Sequence, residues 1–122
     1  MSKKVLMVGW HPDAVNYDKW PGLTAEKLLA GLEADKSRLN SLGFDTRLGF
    51  IRSAEAAVDD VVAALTAEDY DVVMIGAGVR RDDDHFLTFE ALVNAVHQHA
   101  PRARIAFNTG PTDSDAAVMR WA

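Results

Sequence analysis

His11 and Asp13, within "VGWHPDAVNYDKWPGLTAEKL" (8–28), are the residues of this chain best suited to moving a proton. An imidazole titrates near pH 6.5 when unperturbed, so His11 can serve as acid or base at neutral pH, and a carboxylate two positions on can orient it. Pro12 holds His11 extended. The pair has a structural use as well: His11 can bond a loop carbonyl, and Asp13 can close an Asx turn on Ala14 and Val15. Trp10, Tyr17 and Trp20 share the run and offer faces for a planar ligand, or a seal between loop and body.

A second group lies in "IGAGVRRDDDH" (75–85). Gly76 and Gly78 let the backbone approach a ligand, and their amides beside Arg80 can hold an anion. The run is not GxGxxG and does not follow the first strand, so the dinucleotide fingerprint is absent. Asp82, Asp83 and Asp84 read as solvated acids at a helix amino end, with His85 beside them as a ligand-binding candidate. Asp84 and His85 with His11 and Asp13 show no recognisable ligand spacing, so no metal is assigned, and no cofactor is implied. Asn108, Thr109 and Gly110 form the third group. His97 and His99, near a helix carboxyl end, read as structural.

Alternating periods supply the elements that must position these groups. Val5 to Gly9 and "DVVMIG" (71–76) are continuous apolar runs, as in strands buried on both faces. Phe44 to Ile51 alternates, with Phe44, Leu48 and Phe50 on one parity, as an edge strand would, and "ARIAFN" (103–108) is a fourth strand. Thr24 caps a first helix, with Leu23 and Leu28 spaced as a staple, Leu28, Leu32, Leu39 and Leu42 on one face, and Gly43 as its stop. Ser53 is expected to cap a second helix that buries Val58, Val61, Val62 and Leu65, with Glu55, Asp59 and Asp60 toward water. A third, from about Asp84 to His99, turns Phe86, Phe89, Val93 and Val96 inward before Pro101. "TGPTDSDAAVMRWA" reads as a Gly-Pro turn and a last helix, with Thr112 and Asp115 spaced as a capping box.

Strands alternating with helices imply one α/β domain over 1–122: a three-layer α/β/α fold on a four-stranded parallel sheet. The apolar first and third strands belong in the middle, giving order 2-1-3-4, the flavodoxin-like order lacking its fifth strand. In such sheets ligands bind beyond the carboxyl ends of the strands, where the order reverses, and all three residue groups fall on that rim. The connections after the first and third strands are unusually long, whereas the opposite rim has short turns.

Composition narrows the function classes. The 122 residues, 48% hydrophobic and 25% charged, suit a single globular domain with no membrane span. A net charge of -5 disfavours a nucleic-acid backbone, and with no cysteine there is neither a disulfide nor a thiolate nucleophile. "MSKKVLMVGW" has too short an apolar run for a signal peptide, so a cytoplasmic location is expected.

At the level of fold the chain resembles the receiver and flavodoxin group, and "VGWHPDAVNYDKWPGLTAEKL" with "IGAGVR" resembles a family of uncharacterised small bacterial α/β proteins. The likeness implies the fold and carries no activity. Receivers carry acids after the first strand, a phosphoacceptor Asp at the third and a Thr or Ser after the fourth; only Thr109 matches. Flavodoxins hold the flavin phosphate with a Ser/Thr/Gly loop after strand one, where this chain has Trp10-His11-Pro12-Asp13.

Two functions are therefore expected. The first is a binding protein or enzyme for a small anionic metabolite, with Arg80 and the amides near Gly78 and Gly110 holding the anion and His11, oriented by Asp13, transferring a proton. The second is a degenerate receiver-like interaction module, a homodimer through the fourth-strand edge or the C-terminal helix, with Trp121 against its partner.

Overall fold

The computed structural model describes residues 2–110 and 112–122. Strands β1 (Lys4–Trp10), β2 (Asp45–Ile51), β3 (Val72–Ile75) and β4 (Arg104–Phe107) form one parallel sheet in the order β2-β1-β3-β4. Residues 5–8 of β1 and all of β3 are buried, and they occupy the middle, where both faces are covered. Register places Gly9 beside Phe50 and Val8 beside Ile75, so the strands end together on one rim.

Helices α1 (Ala25–Ser41) and α5 (Ser114–Trp121) cover one face of the sheet. The other is covered by α2 (Ala57–Ala67), α4 (Phe86–His99) and Val79 of the one-turn α3 (Ala77–Arg80). The result is a three-layer α/β/α domain with five α-helices among the described residues rather than the four expected, α3 being the addition. None is long and apolar enough to cross a membrane.

Local chemistry explains the ends of α1. Thr24 Oγ1 accepts from the Lys27 amide (3.2 Å). At the other end Gly43 takes φ +97°. The Gly43 and Phe44 amides then reach back to Asn40 O and Leu39 O, a Schellman closure that a side chain at position 43 would strain. Of the apolar stripe expected on this helix, Leu39 is buried and Leu32 packs on the core, but Leu42 is half exposed.

Several local expectations need correction. Ser53 Oγ accepts from the Ala56 amide (3.1 Å), so it caps the turn before α2, not α2 itself. The buried face of α2 is Ala57, Val61 and Leu65; Val58 is exposed, and Asp60 accepts from the Arg52 amide (3.0 Å). On α4 the buried residues are Leu92, Ala95 and Val96, while Phe86 is exposed because the helix starts there, beyond the edge of the core. The box between Thr112 and Asp115 does not form: Asp113 is the N-cap of α5 and turns back to Thr109 and Gly110, leaving Asp115 to pair with Arg38 (3.4 Å). The Gly-Pro turn includes Pro111, which lies outside the described residues.

Candidate functional site

The connection from β1 to α1 is a folded lid. Its first amide extends the sheet, His11 N donating to Ile51 O (2.9 Å). Two 3-10 turns follow, Pro12–Ala14 and Tyr17–Lys19. Asn16 Oδ1 caps the second, and the Tyr17 hydroxyl donates to Pro12 O across the first. Burial and the nearby Asp13 charge push the Tyr17 phenol above its ordinary value, so it stays protonated at neutral pH. Gly22, with φ +84°, then turns the chain into α1.

Beneath this lid is a cavity of about 670 Å³ between α1 and the carboxyl half of the sheet. Met7, Leu48, Phe50 and Met74 form the sheet wall; Leu28 and Leu32 form the helix wall; Val15, Trp20, Pro21 and Leu23 roof it. Two glycines leave space between the walls. A Cβ built on Gly9, in the sheet, or on Gly31, in the helix, meets nothing within 4 Å. Turns 76–79 and 108–110 close the rim, and the volume falls in the range of small-molecule pockets.

The polar lining is sparse and ordered. Lys19, Lys27 and Arg81 stand at the mouth, and Asp35 is the only acid among the described lining residues. Lys19 is neutralised by Asp84 and Asp82; these partners raise its ammonium pKa, and Lys19 in turn lowers that of Asp84. Lys27 Nζ donates to Gly22 O (3.0 Å) and Arg81 Nη1 only weakly to Thr109 O (3.4 Å). Neither has a carboxylate partner among the described residues. Asp35 is buried at the floor, where its carboxylate accepts from Ser114 Oγ (2.7 Å) and from Arg38. Ser114 accepts from Asn108 Nδ2 (2.9 Å), and Asn108 Oδ1 accepts from the Ala77 amide (2.7 Å). This chain of bonds ties α1, α5, β4 and α3 together beside the cavity and gives the buried side chains of Asp35, Ser114 and Asn108 their partners.

The residues singled out in the sequence are distributed unevenly around this space. Trp10, Trp20, Gly76, Gly78, Asn108, Thr109 and Gly110 line it; His11, Asp13, Tyr17, Arg80 and His85 do not. Trp10 Nε1 donates to Gly78 O (3.2 Å) and its ring lies 5.0 Å from that of His85. Arg80 Nη2 donates to Asn108 O (2.9 Å), bracing two rim turns. The Thr109 and Gly110 amides donate to Asp113, whose carboxyl is held below its ordinary value chiefly by the Thr109 hydroxyl.

His11 and Asp13 line a different, polar depression with Arg52 and Asp60 at the β2 edge, with Phe50 and Leu48 between it and the cavity. His11 Nδ1 accepts from the Asp13 amide (3.1 Å), so His11 caps the Pro12–Ala14 turn, one step before the Asx turn on Ala14 and Val15 expected from Asp13. The Asp13 carboxylate lies 3.8 Å from Nδ1, too far to orient the ring, which instead packs edge-on against Phe50 (centroids 5.1 Å). Among the described residues no three His, Cys, Asp or Glu side chains are grouped to hold a metal.

Sequence reading missed Asp35, Gly31, Lys27, Arg81 and the apolar walls. Two signals for them exist: Asp35 interrupts the stripe Leu28, Leu32, Leu39 at a position that must face inward, and Gly31 sits mid-helix, where glycine costs about 1 kcal/mol against alanine. No protein-family model and no curated protein matches the chain.

Proposed function

We propose that the protein binds a small anionic metabolite in the cavity at the carboxyl rim of its sheet. The observation that carries this reading is the cavity itself, an apolar chamber of about 670 Å³ at the point where the strand order reverses. The anion is supported by Lys27 and Arg81 at the mouth, which replace Arg80 and the Gly110 amide as the groups to hold it, because Arg80 does not line the cavity and the Gly110 amide is taken by the Asp113 carboxylate. His11, outside the cavity, is given no part in binding.

Gly31→Leu tests the reading, since the added side chain enters open space from a helical backbone without positive φ. Native mass spectrometry of the wild type is expected to show a retained small molecule, or its thermal midpoint to rise with a matching anion. The filled variant should fold and lose either response. Identical responses from the two proteins, or none from the wild type across carboxylates and phosphates, would overturn it.

A second reading, pairing of two chains through α5 or the β4 edge, is favoured by Met119 and Trp121, both more than half exposed at the end of α5. Sedimentation at rising concentration tests it: mass that stays monomeric removes it, and Trp121→Ser should abolish any dimer seen.

A further inference from the structure

Resting on that reading, we infer that the ligand is an amphiphilic monoanion: one carboxylate or similar group on an unbranched or aromatic hydrocarbon body. The charge distribution along the cavity carries the inference. Lys27 and Asp35 stand on the same helix eight residues apart, about 12 Å at 1.5 Å per residue. The cationic end is the mouth, where Lys27 and Arg81 lack carboxylate partners among the described residues, whereas the buried Asp35 is already paired with Arg38 and bonded to Ser114 Oγ, so the floor offers an anion no free cation.

Between these ends the walls are Met7, Leu28, Leu48 and Met74, which offer no hydrogen bond. A compact hydrophilic anion that went down the cavity would lose its water without replacement, a cost of several kcal/mol for a charged group, so the body of the ligand is apolar. A ligand anionic at both ends would bury its second charge where Arg38 is already taken by Asp35, so that charge would lose its water without a counterion. One charge, held at the mouth, satisfies both ends. The protein's overall charge of -5 makes this basic mouth a local feature that selects by position rather than by bulk attraction.

Titration calorimetry with decanoate, 1-decanol, decanedioate, succinate and inorganic phosphate separates the terms, because the first three share a chain length and differ only in charge at the two ends. Decanoate is expected to bind about tenfold or more tightly than 1-decanol or decanedioate, a factor one charged contact commonly supplies. The double variant K27Q/R81Q should bring decanoate to the level of 1-decanol. Gly31→Leu should weaken decanoate at least about tenfold, with Gly9→Val on the opposite wall as the second filler if the first fails to fold. Equal binding of 1-decanol or decanedioate, no loss in K27Q/R81Q, or succinate or phosphate as the anion that Gly31→Leu excludes would overturn the inference and leave the cavity a binding site. Absence of filler-sensitive binding for all five compounds would overturn the inference together with the reading beneath it.

Discussion

The two faces of the sheet are built from the same strands yet finished differently. On the α2/α4 face, Leu6, Val8, Ile51, Ile75 and Leu92 belong to one buried cluster that runs the length of the strands. On the α1/α5 face the buried cluster of Val5, Met7, Leu39, Val72, Met74, Ala106, Ala117 and Val118 ends at Met7 and Met74, which also line the chamber over which the first turns of α1 stand. Glycine marks the difference. A Cβ on Gly49 would stand 3.0 Å from Leu6 Cδ1, inside the closed face, whereas those on Gly9 and Gly31 would enter empty space. One residue type permits close packing in one layer and withholds it in the other, which separates the part of the domain that stabilises from the part available to a ligand.

Truncating a leucine on each face is the strongest test of that contrast. Leu92→Ala, at a fully buried site, is expected to cost about 3 kcal/mol. Leu28→Ala, on the cavity wall, should cost about 1 kcal/mol or less, because its removal enlarges an existing space instead of opening a new one. Urea unfolding midpoints measure both, and equal losses would break the contrast.

A smaller effect of opposite sign is expected from adding a methyl group. Gly49→Ala forces Leu6 to move and should destabilise by about 1 kcal/mol, whereas Gly31→Ala should stabilise by about 0.5–1 kcal/mol through its helical backbone. Thermal midpoints moving in the same direction would show that the chamber is not open where Gly31 lies.

The smallest effect is confined to the rim. The native carboxyl of Asp113 titrates below the ordinary 3.8, so its contribution is fully present above that value and is lost as pH falls from about 4 through the lowered native value. Amide resonances of Thr109 and Gly110, which donate to that carboxylate, should shift in this range while the Leu92 amide on the closed face stays constant. A uniform shift across both faces would assign acid sensitivity to the whole domain instead.

Strand order was legible in the sequence because residues 5–8 and 72–75 hold no polar position, a pattern that only the middle of a doubly covered sheet accepts. The lid was legible from its length. The cavity was not, because Leu28 and Leu32 fit the stripe of a packed helix, and a stripe records which way a helix faces, not how far it stands from the sheet. Nor was the parting of His11 from Asp13: a separation of two residues brings them close in an extended chain, but the 3-10 turn at Pro12 sends the Asp13 side chain out to solvent, where it is 87% exposed. Arg80 and Gly110 were sensible anion ligands by type. Their partners, Asn108 O and the Asp113 carboxylate, are set by how the rim turns meet, which no local pattern encodes.

The placement of the indoles has an optical consequence. Trp10 is fixed to the Gly78 carbonyl at the cavity edge, Trp20 roofs the chamber, and Trp121 is 52% exposed at the far end of α5. Iodide or acrylamide should therefore extinguish the red emission of Trp121 first, leaving a bluer signal from the two indoles beside the chamber. The molecule carries its own fluorescent gauge of whether that chamber is wet, filled or closed.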